Sequence, residues 1–126
     1  MILIDTDVLI AHLRGVESAR EWLMEASSRQ ELVISVLTIT EIAGGMRSHE
    51  RPQVWRLLTS LRSEPVTYAI ARRAGELRRT WYRSHTGIAT IDYLIAATAI
   101  EIGCDLATLN TRHYPMLPEL KPAFAL

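Results

Sequence analysis

The most constraining feature of this chain is the short apolar run Ile2-Leu3-Ile4, which ends directly in Asp5-Thr6-Asp7. An uninterrupted apolar run is typical of a strand buried on both faces, as in a parallel sheet covered by helices. Polar residues then begin where the strand ends. In such sheets, ligands bind at the carboxyl ends of the strands, so the run predicts both an α/β fold and the edge that carries its function.

Further apolar runs alternate with helical patterns along the chain. We predict strands at 32–36 and 106–108 and a weaker strand at Pro65-Val66-Thr67. The helical periodicity predicts helices near 8–13, 17–29, 39–47, 52–62, 69–83 and 90–102. With 126 residues and 48% hydrophobic side chains, the chain can bury one core. The expected architecture is a three-layer α/β/α domain, spanning residues 1–126, with a mainly parallel central sheet.

Oxygen-bearing side chains recur at the predicted carboxyl edge of this sheet. Asp5 and Asp7 follow the first strand, Glu41 follows the second, Asp92 opens a buried helix, and Asn110 follows the last strand. Mg²⁺ and Mn²⁺ prefer such oxygens and are commonly held by a few carboxylates, waters and substrate phosphate. The pattern therefore predicts a site for one or two divalent ions that activate water against a phosphodiester.

Each acid also has a purely structural alternative. Glu41 completes a capping-box pattern with Thr38, and Asp92 could complement the positive end of its helix dipole. Asp7 is predicted to be the N-cap of the next helix rather than a direct ligand. Asp5 is the hardest to explain structurally, because an acid that follows three buried residues needs a partner to offset its desolvation.

Four ordered segments of the sequence match one family. The chain resembles the PIN-domain ribonucleases, and in particular the VapC toxins of bacterial toxin–antitoxin modules, in the segments Ile2–Ile10, Ser35–Glu41, Asp92–Ala99 and Leu106–Pro115. The resemblance extends over almost the whole chain. Four motifs in this order are specific where a single motif would be weak.

The resemblance assigns roles residue by residue. Asp5 and Asp92 match the metal-binding aspartates of the family, and Glu41 matches the acid of its T-x-x-E motif, so these three are the predicted catalytic residues. Thr6, Asp7 and Asn110 are the predicted secondary residues, which position water or metal. Asp7 stands where Asn or Ser is frequent, and Asn110 replaces a frequent fourth Asp. An uncharged amide holds a cation more weakly, which favours a one-metal site.

The resemblance also implies an activity and partners. It implies a homodimeric endoribonuclease of the PIN fold that depends on Mg²⁺ or Mn²⁺, cleaves RNA and is inhibited by a VapB-type antitoxin. Four large apolar residues could line the antitoxin groove or the dimer face, or belong to the core: Trp22, Met46, Trp55 and Trp81.

The charge balance limits how RNA is contacted. The formal net charge is zero, so a basic surface for RNA must be local. Arg112 and His113 follow Asn110 and are the predicted RNA contacts; a general-base role for His113 is the weaker alternative. Arg72, Arg79 and Arg83 share a helical face, which could meet phosphates or acidic antitoxin residues, or simply be solvated.

The sequence offers no membrane span, no leader pattern and a single cysteine, Cys104, so we expect a cytoplasmic protein. Two other functions fit part of the pattern. Asp5-Thr6-Asp7-Val8 also resembles the opening motif of haloacid dehalogenase-type phosphatases, with Asp5 as the nucleophile, but that chemistry needs a lysine in the site, and Lys121 is the only lysine. The second is a PIN-like module that binds RNA or protein without catalysis.

Overall fold

The computed structural model describes all 126 residues and contains a four-stranded sheet with six α-helices. The strands are β1 (Ile2–Ile4), β2 (Leu32–Ser35), β3 (Arg62–Glu64) and β4 (Asp105–Ala107). The helices are α1 (Thr6–Leu13), α2 (Glu17–Arg29), α3 (Val36–Gly45), α4 (Arg51–Ser60), α5 (Tyr68–Trp81) and α6 (Thr90–Ile102), with short 3₁₀ turns at Ser48–Glu50 and Thr111–His113.

The sheet has the order β3-β2-β1-β4, and every neighbouring pair is parallel. Ile2 aligns with Leu32 on one side and with Asp105 on the other, which places the carboxyl ends of β1, β2 and β4 at one edge. The backbone N–H of Asp5 donates to Ala107 O at 2.9 Å, so β1 and β4 stay paired up to that edge. The predicted location of the polar cluster is thus set by strand register.

Two apolar layers cover the sheet. Ile2 and Ile4 point to the face packed by α1 to α4, together with Val8, Leu9, Ile34, Ile42 and Val54. Leu3 and Val33 point to the opposite face and pack against α6 through Ile95, Ala96 and Ala99. This alternation within β1 buries both faces of the strand. The three-layer α/β/α architecture with a parallel sheet is therefore confirmed.

Helix α6 is the most deeply buried helix, as the nearly continuous apolar sequence predicts. Five consecutive residues, 95–99, are buried, and α5 covers the outer side of α6 through Ile70, Ala74, Tyr93 and Ala97. The helix ends at Gly103, whose φ of 69° is in the left-handed region that favours glycine at a helix end. None of the helices is both long and apolar enough to cross a membrane.

The third strand was placed wrongly by the sequence pattern. β3 is Arg62–Glu64, immediately before the predicted Pro65-Val66-Thr67, and it forms the polar edge of the sheet. Proline has no backbone N–H to donate to a ladder, so the strand stops at Pro65. Thr67 instead caps α5, where its hydroxyl accepts from Ile70 N at 3.2 Å.

Candidate active site

Asp5 is the best-supported carboxylate at the sheet edge. Its side chain is 8% exposed, and its Oδ1 accepts from the N–H of Thr6 at 2.8 Å, which caps α1. Its Oδ2 accepts from Thr108 Oγ1 at 2.9 Å and from the Tyr114 hydroxyl at 2.7 Å. Three donors from three segments fix both oxygens, which explains how this fold tolerates a nearly buried acid.

Tyr114 is a site residue that the sequence pattern did not identify. It is 1% exposed, and burial, followed by the negative charges of Asp5, Asp92 and Asp7, raises the pKa of its phenol. The phenol therefore stays protonated and acts as a hydrogen-bond donor. The hydroxyl donates to Asp5 Oδ2, so this donor faces the acidic edge of the sheet. In this loop the sequence predicts RNA contacts for Arg112 and His113 and no role for Tyr114.

Asp7 is not the N-cap of α1, contrary to the prediction, because Asp5 occupies that position and Asp7 lies in the first turn. Asp7 Oδ2 accepts from Leu109 N at 2.9 Å and lies 3.2 Å from Thr108 Oγ1, which ties α1 to the segment after β4. Its Oδ1 is buried without a hydrogen-bond partner. Burial and the charge of Asp5 raise the pKa of Asp7.

Asp92 lies in the first turn of α6 and is partly buried, with 15% of its side chain exposed. Its Oδ2 accepts from Ala89 N at 2.9 Å, so its structural role at a helix start is real. The same oxygen lies 3.2 Å from His113 Nδ1. Burial raises the pKa of Asp92, and the charge of Asp5 adds to that rise, so the two aspartates interact across the sheet edge.

Glu41 joins the site through Thr6. Helix α3 begins at Val36 with Ser35 as its N-cap, so the structural alternative for Glu41, a capping box with Thr38, does not form, and Glu41 lies in the second turn. The Thr6 hydroxyl donates to Glu41 Oε1 at 2.6 Å and lies 3.0 Å from Thr38 Oγ1. Thr6, which lies between Asp5 and Asp7, thus orients Glu41, the third predicted catalytic acid.

Asn110 and His113 form a short chain of contacts that ends on Asp92. The Asn110 side-chain amide lies 3.2 Å from the His113 ring, and its backbone N–H donates to Thr108 Oγ1 at 3.1 Å. His113 lies in the turn Thr111–His113, as does the exposed Arg112. The imidazole of His113 therefore contacts both the Asn110 amide and the Asp92 carboxylate.

The donor set fits a hard divalent cation. Every candidate ligand is an oxygen, the aspartates share one edge, and the buried Oδ1 of Asp7 is an unused acceptor. No three His, Cys, Asp or Glu side chains converge tightly enough to surround an ion on their own. Mg²⁺ does not need such a cage, since it keeps several waters and takes only one or two carboxylates plus substrate phosphate.

A parallel sheet covered by helices, with aspartates from β1 and from the start of α6 at its carboxyl edge, defines a class of protein. The PIN domain model matches residues 2–116, and the chain therefore belongs to the PIN-domain family.

Relatives narrow this class to the VapC-type ribonucleases. Ribonuclease VapC10 of Mycobacterium tuberculosis is 56% identical over 126 residues, covering 100% of this chain and 95% of the relative. Ribonuclease VapC19 of the same organism is 41% identical over 125 residues, 98% of this chain and 100% of the relative. A toxin–antitoxin complex from Klebsiella pneumoniae contains a chain of the same fold, with a TM-score of 0.83, 24% identity and full coverage of both chains.

The phosphatase alternative gains no support from these findings. The family match is to the PIN domain rather than to a phosphatase. Lys121, the only lysine, follows the last regular element and is exposed. Asp5 is also bound on both oxygens by hydrogen-bond donors, which suits a fixed ligand better than a free nucleophile.

Proposed function

We propose that this chain is the toxin of a toxin–antitoxin module and that it is an endoribonuclease dependent on Mg²⁺ or Mn²⁺. The observation that carries the proposal is that Asp5 and Asp92 contact neighbouring residues of one loop at the carboxyl edge of a PIN fold. Asp5 Oδ2 accepts from the Tyr114 hydroxyl at 2.7 Å, and Asp92 Oδ2 lies 3.2 Å from Nδ1 of His113. The ribonuclease names of the two M. tuberculosis relatives support the reaction class.

Asp5, Asp92 and Glu41 are the proposed catalytic and metal-binding residues. The contacts of Asp5 with Thr108 and Tyr114 keep its carboxylate in place before an ion arrives. Thr6 holds Glu41 toward the same edge. The negative charge of Asp5 contributes to the raised pKa of Asp92. A bound cation would offset this repulsion between the two carboxylates.

When bound, the ion would lower the pKa of a coordinated water and stabilise negative charge on the phosphoryl oxygens. The protein's own groups then orient the scissile phosphate. His113 lies beside Asp92 and Arg112 is exposed next to it, so both are proposed to contact the RNA. Charge-assisted hydrogen bonds from such groups fix a phosphate in register.

We propose one tightly bound ion rather than two. Asn110 stands where a fourth acid would complete a second site, and its amide is turned to His113. Asn110 and Asp7 are therefore assigned the positioning of water or metal, together with Thr6. A second ion would bind only with RNA phosphate as an additional ligand.

The proposed inhibitor is a VapB-type antitoxin, as the toxin–antitoxin complex with the same fold suggests. A groove between α1, α3 and α4 suits an amphipathic segment of such a partner, because Arg14, Arg47 and Glu50 line it beside apolar residues. Its apolar lining includes Ile10, Leu13, Ile42, Met46 and Val54, and Glu41 belongs to the same groove. A segment bound there would contact a catalytic acid and so inhibit the enzyme directly.

The homodimer and the cytoplasmic location are two further expectations. Light scattering on the purified chain tests the homodimer, which stays a prediction. Because RNA is the proposed substrate, we also propose that the protein acts in the cytoplasm.

The deciding experiment uses purified protein freed of any antitoxin and incubated with total RNA. Cleavage is measured with Mg²⁺, with Mn²⁺ and with a chelator, for the unmodified chain, Asp92→Asn and the control Asp105→Asn. Asp105 is an exposed acid at the opposite end of β4. We expect cleavage to require the ion and Asp92 but not Asp105.

Cleavage that persists both in the chelator and in Asp92→Asn would refute metal-dependent catalysis. RNA binding without cleavage by the unmodified chain, at any ion concentration, would favour the non-catalytic module. If the unmodified chain releases phosphate from a generic phosphomonoester and Asp5→Asn does not, the phosphatase alternative would be favoured.

A further inference from the structure

The end of α5 concentrates positive charge in a chain whose formal net charge is zero. Residues 68–83 contain five arginines, at positions 72, 73, 78, 79 and 83, against a single acid, Glu76. All five arginines are exposed. This segment is therefore a local basic surface of the kind that an electrically neutral nucleic-acid enzyme needs.

Most of these arginines have no acidic partner within the protein. Arg73 pairs with Glu101 at 2.8 Å, but Arg72, Arg78, Arg79 and Arg83 form no ion pair. The contrast with α2 is direct, because Arg20 and Arg29 there are both paired with glutamates of their own helix. The guanidinium groups that form no ion pair are therefore available to an external anion.

An exposed aromatic ring lies among them. The guanidinium carbons of Arg78 and Arg83 lie 5.2 Å and 5.7 Å from the centre of the Tyr82 ring, and Arg83 Nε donates to the Tyr82 hydroxyl at 3.0 Å. Tyr82 is 41% exposed. We name Arg78, Tyr82 and Arg83 the arginine–tyrosine cluster. A base that stacks on this exposed ring would replace one of these guanidinium contacts, and the released guanidinium group would then be a bidentate donor for the adjoining phosphate.

The cluster lies beside the catalytic edge. Helix α5 packs on α6, and Tyr93 is in the interface between them. Trp81, which precedes Tyr82, packs against the same apolar cluster as Tyr93, the residue that follows Asp92. Only six residues lie between Tyr82 and Ala89, the N-cap residue of α6, whose N–H donates to the Asp92 carboxylate.

We propose that the arginine–tyrosine cluster is a binding site for single-stranded RNA, which stacks one base on Tyr82 and leads the adjoining phosphates toward Asp92. This inference rests on the proposed ribonuclease function. An acidic protein segment would satisfy the arginines but leave the exposed ring without a role, whereas an unpaired nucleotide uses both. A duplex would hide its bases from Tyr82.

Fluorescence anisotropy with a labelled single-stranded RNA oligonucleotide tests the site in the Asp92→Asn background, which prevents cleavage. Tyr82→Leu removes the stacking face, and we expect RNA affinity to fall about tenfold, whereas Tyr82→Phe retains the affinity. The double variant Arg78→Gln/Arg83→Gln should also lower the salt slope of log K by about 1.4, given about 0.7 per phosphate contact in single strands.

The matched control is Arg51→Gln/Arg56→Gln, which removes two equally exposed and unpaired arginines from α4, on the opposite face of the sheet. We expect it to change RNA affinity less than the cluster variant does. Equal losses in the two double variants, or no loss in Tyr82→Leu, would overturn the inference. So would an equal loss of affinity for a polyglutamate peptide, which has charge but no bases.

Cleavage assays without the Asp92 substitution separate this inference from the proposed function. With the ion present, the cluster variants should raise KM and leave kcat nearly unchanged, because they act on binding away from the reacting phosphate. If the unmodified chain cleaves RNA and the cluster variants keep its KM, the proposed binding site is overturned but the ribonuclease function is not. Failure of the unmodified chain to cleave RNA would overturn the ribonuclease itself.

Discussion

The hydroxyl of Tyr114 lies 2.7 Å from Oδ2 of Asp5, and these two buried residues are separated by 109 positions in the sequence. Tyr114→Phe removes one of the three donors that fix the carboxylate. Since a hydrogen bond to a charged group contributes about 1.5–3 kcal/mol, we expect a loss of that size in the free energy of unfolding. Chemical denaturation of the metal-free protein measures it.

Tyr93→Phe provides the matched opposite case. Tyr93 is also 1% exposed, but its hydroxyl is buried without a hydrogen-bond partner. Removing an unsatisfied polar atom should leave stability unchanged or raise it by about 1 kcal/mol. If both variants lose the same stability, the hydrogen bond from Tyr114 to Asp5 is not what stabilises this edge.

Much of the site could be predicted because its main determinants are local in sequence. The apolar run before Asp5 defines a buried parallel strand, and the apolar helix after Ala89 places Asp92 in a first turn. Parallel strands align their carboxyl ends, and Asp92 at the start of α6 contacts His113 beyond the end of β4, so both acids lie at one edge once the fold is known. Their convergence follows from topology rather than from any contact visible in the sequence.

The parts that were missed depend on distant contacts. Thr108 and Tyr114 are ordinary loop residues until the chain returns to Asp5. The polar strand Arg62–Glu64 carries no apolar pattern because it is an edge strand, held by pairing with β2 rather than by burial. The start of α3 was placed late because the β-branched Val36 continues the pattern of the preceding strand.

Thr6→Val tests the link between the two halves of the site. The substitution keeps the size of this nearly buried side chain but removes the hydroxyl that donates to Glu41 Oε1 at 2.6 Å. Loss of an outer-shell hydrogen bond typically costs about 10–100-fold in metal affinity or activity. We expect RNA cleavage to fall in that range while Thr6→Ser, which keeps the hydroxyl, remains near the original rate. Equal activities of the two variants would argue against positioning by Thr6.

Asp7→Asn should stabilise the metal-free protein at neutral pH. Burial and the charge of Asp5 raise the pKa of Asp7 above its ordinary value of 3.8, so ionised Asp7 opposes folding. Protonated Asp7 thus contributes favourably to the free energy of unfolding. This contribution is fully present below the unfolded-state pKa and is lost as pH rises through the folded-state pKa. The gain in Tm of Asp7→Asn over the unmodified chain should therefore grow between pH 3.8 and neutrality. Thermal melts in chelator measure it, and a gain independent of pH would contradict this account.

Asn110→Asp tests whether the fourth position limits ion binding. The new carboxylate would stand beside His113, which itself contacts Asp92 at 3.2 Å, so it adds negative charge to an edge that already attracts a cation. Ligand charge sets the affinity of oxygen sites for hard cations, and we expect the Kd for Mn²⁺ to fall about tenfold. Titration calorimetry measures Kd and stoichiometry together, with Asn110→Ser as the uncharged control. A rise from one bound ion to two would show that Asn110 alone keeps the second site empty. An unchanged Kd and stoichiometry would mean that residue 110 lies outside the reach of the ion and that Asp5, Asp92 and Glu41 define its binding by themselves.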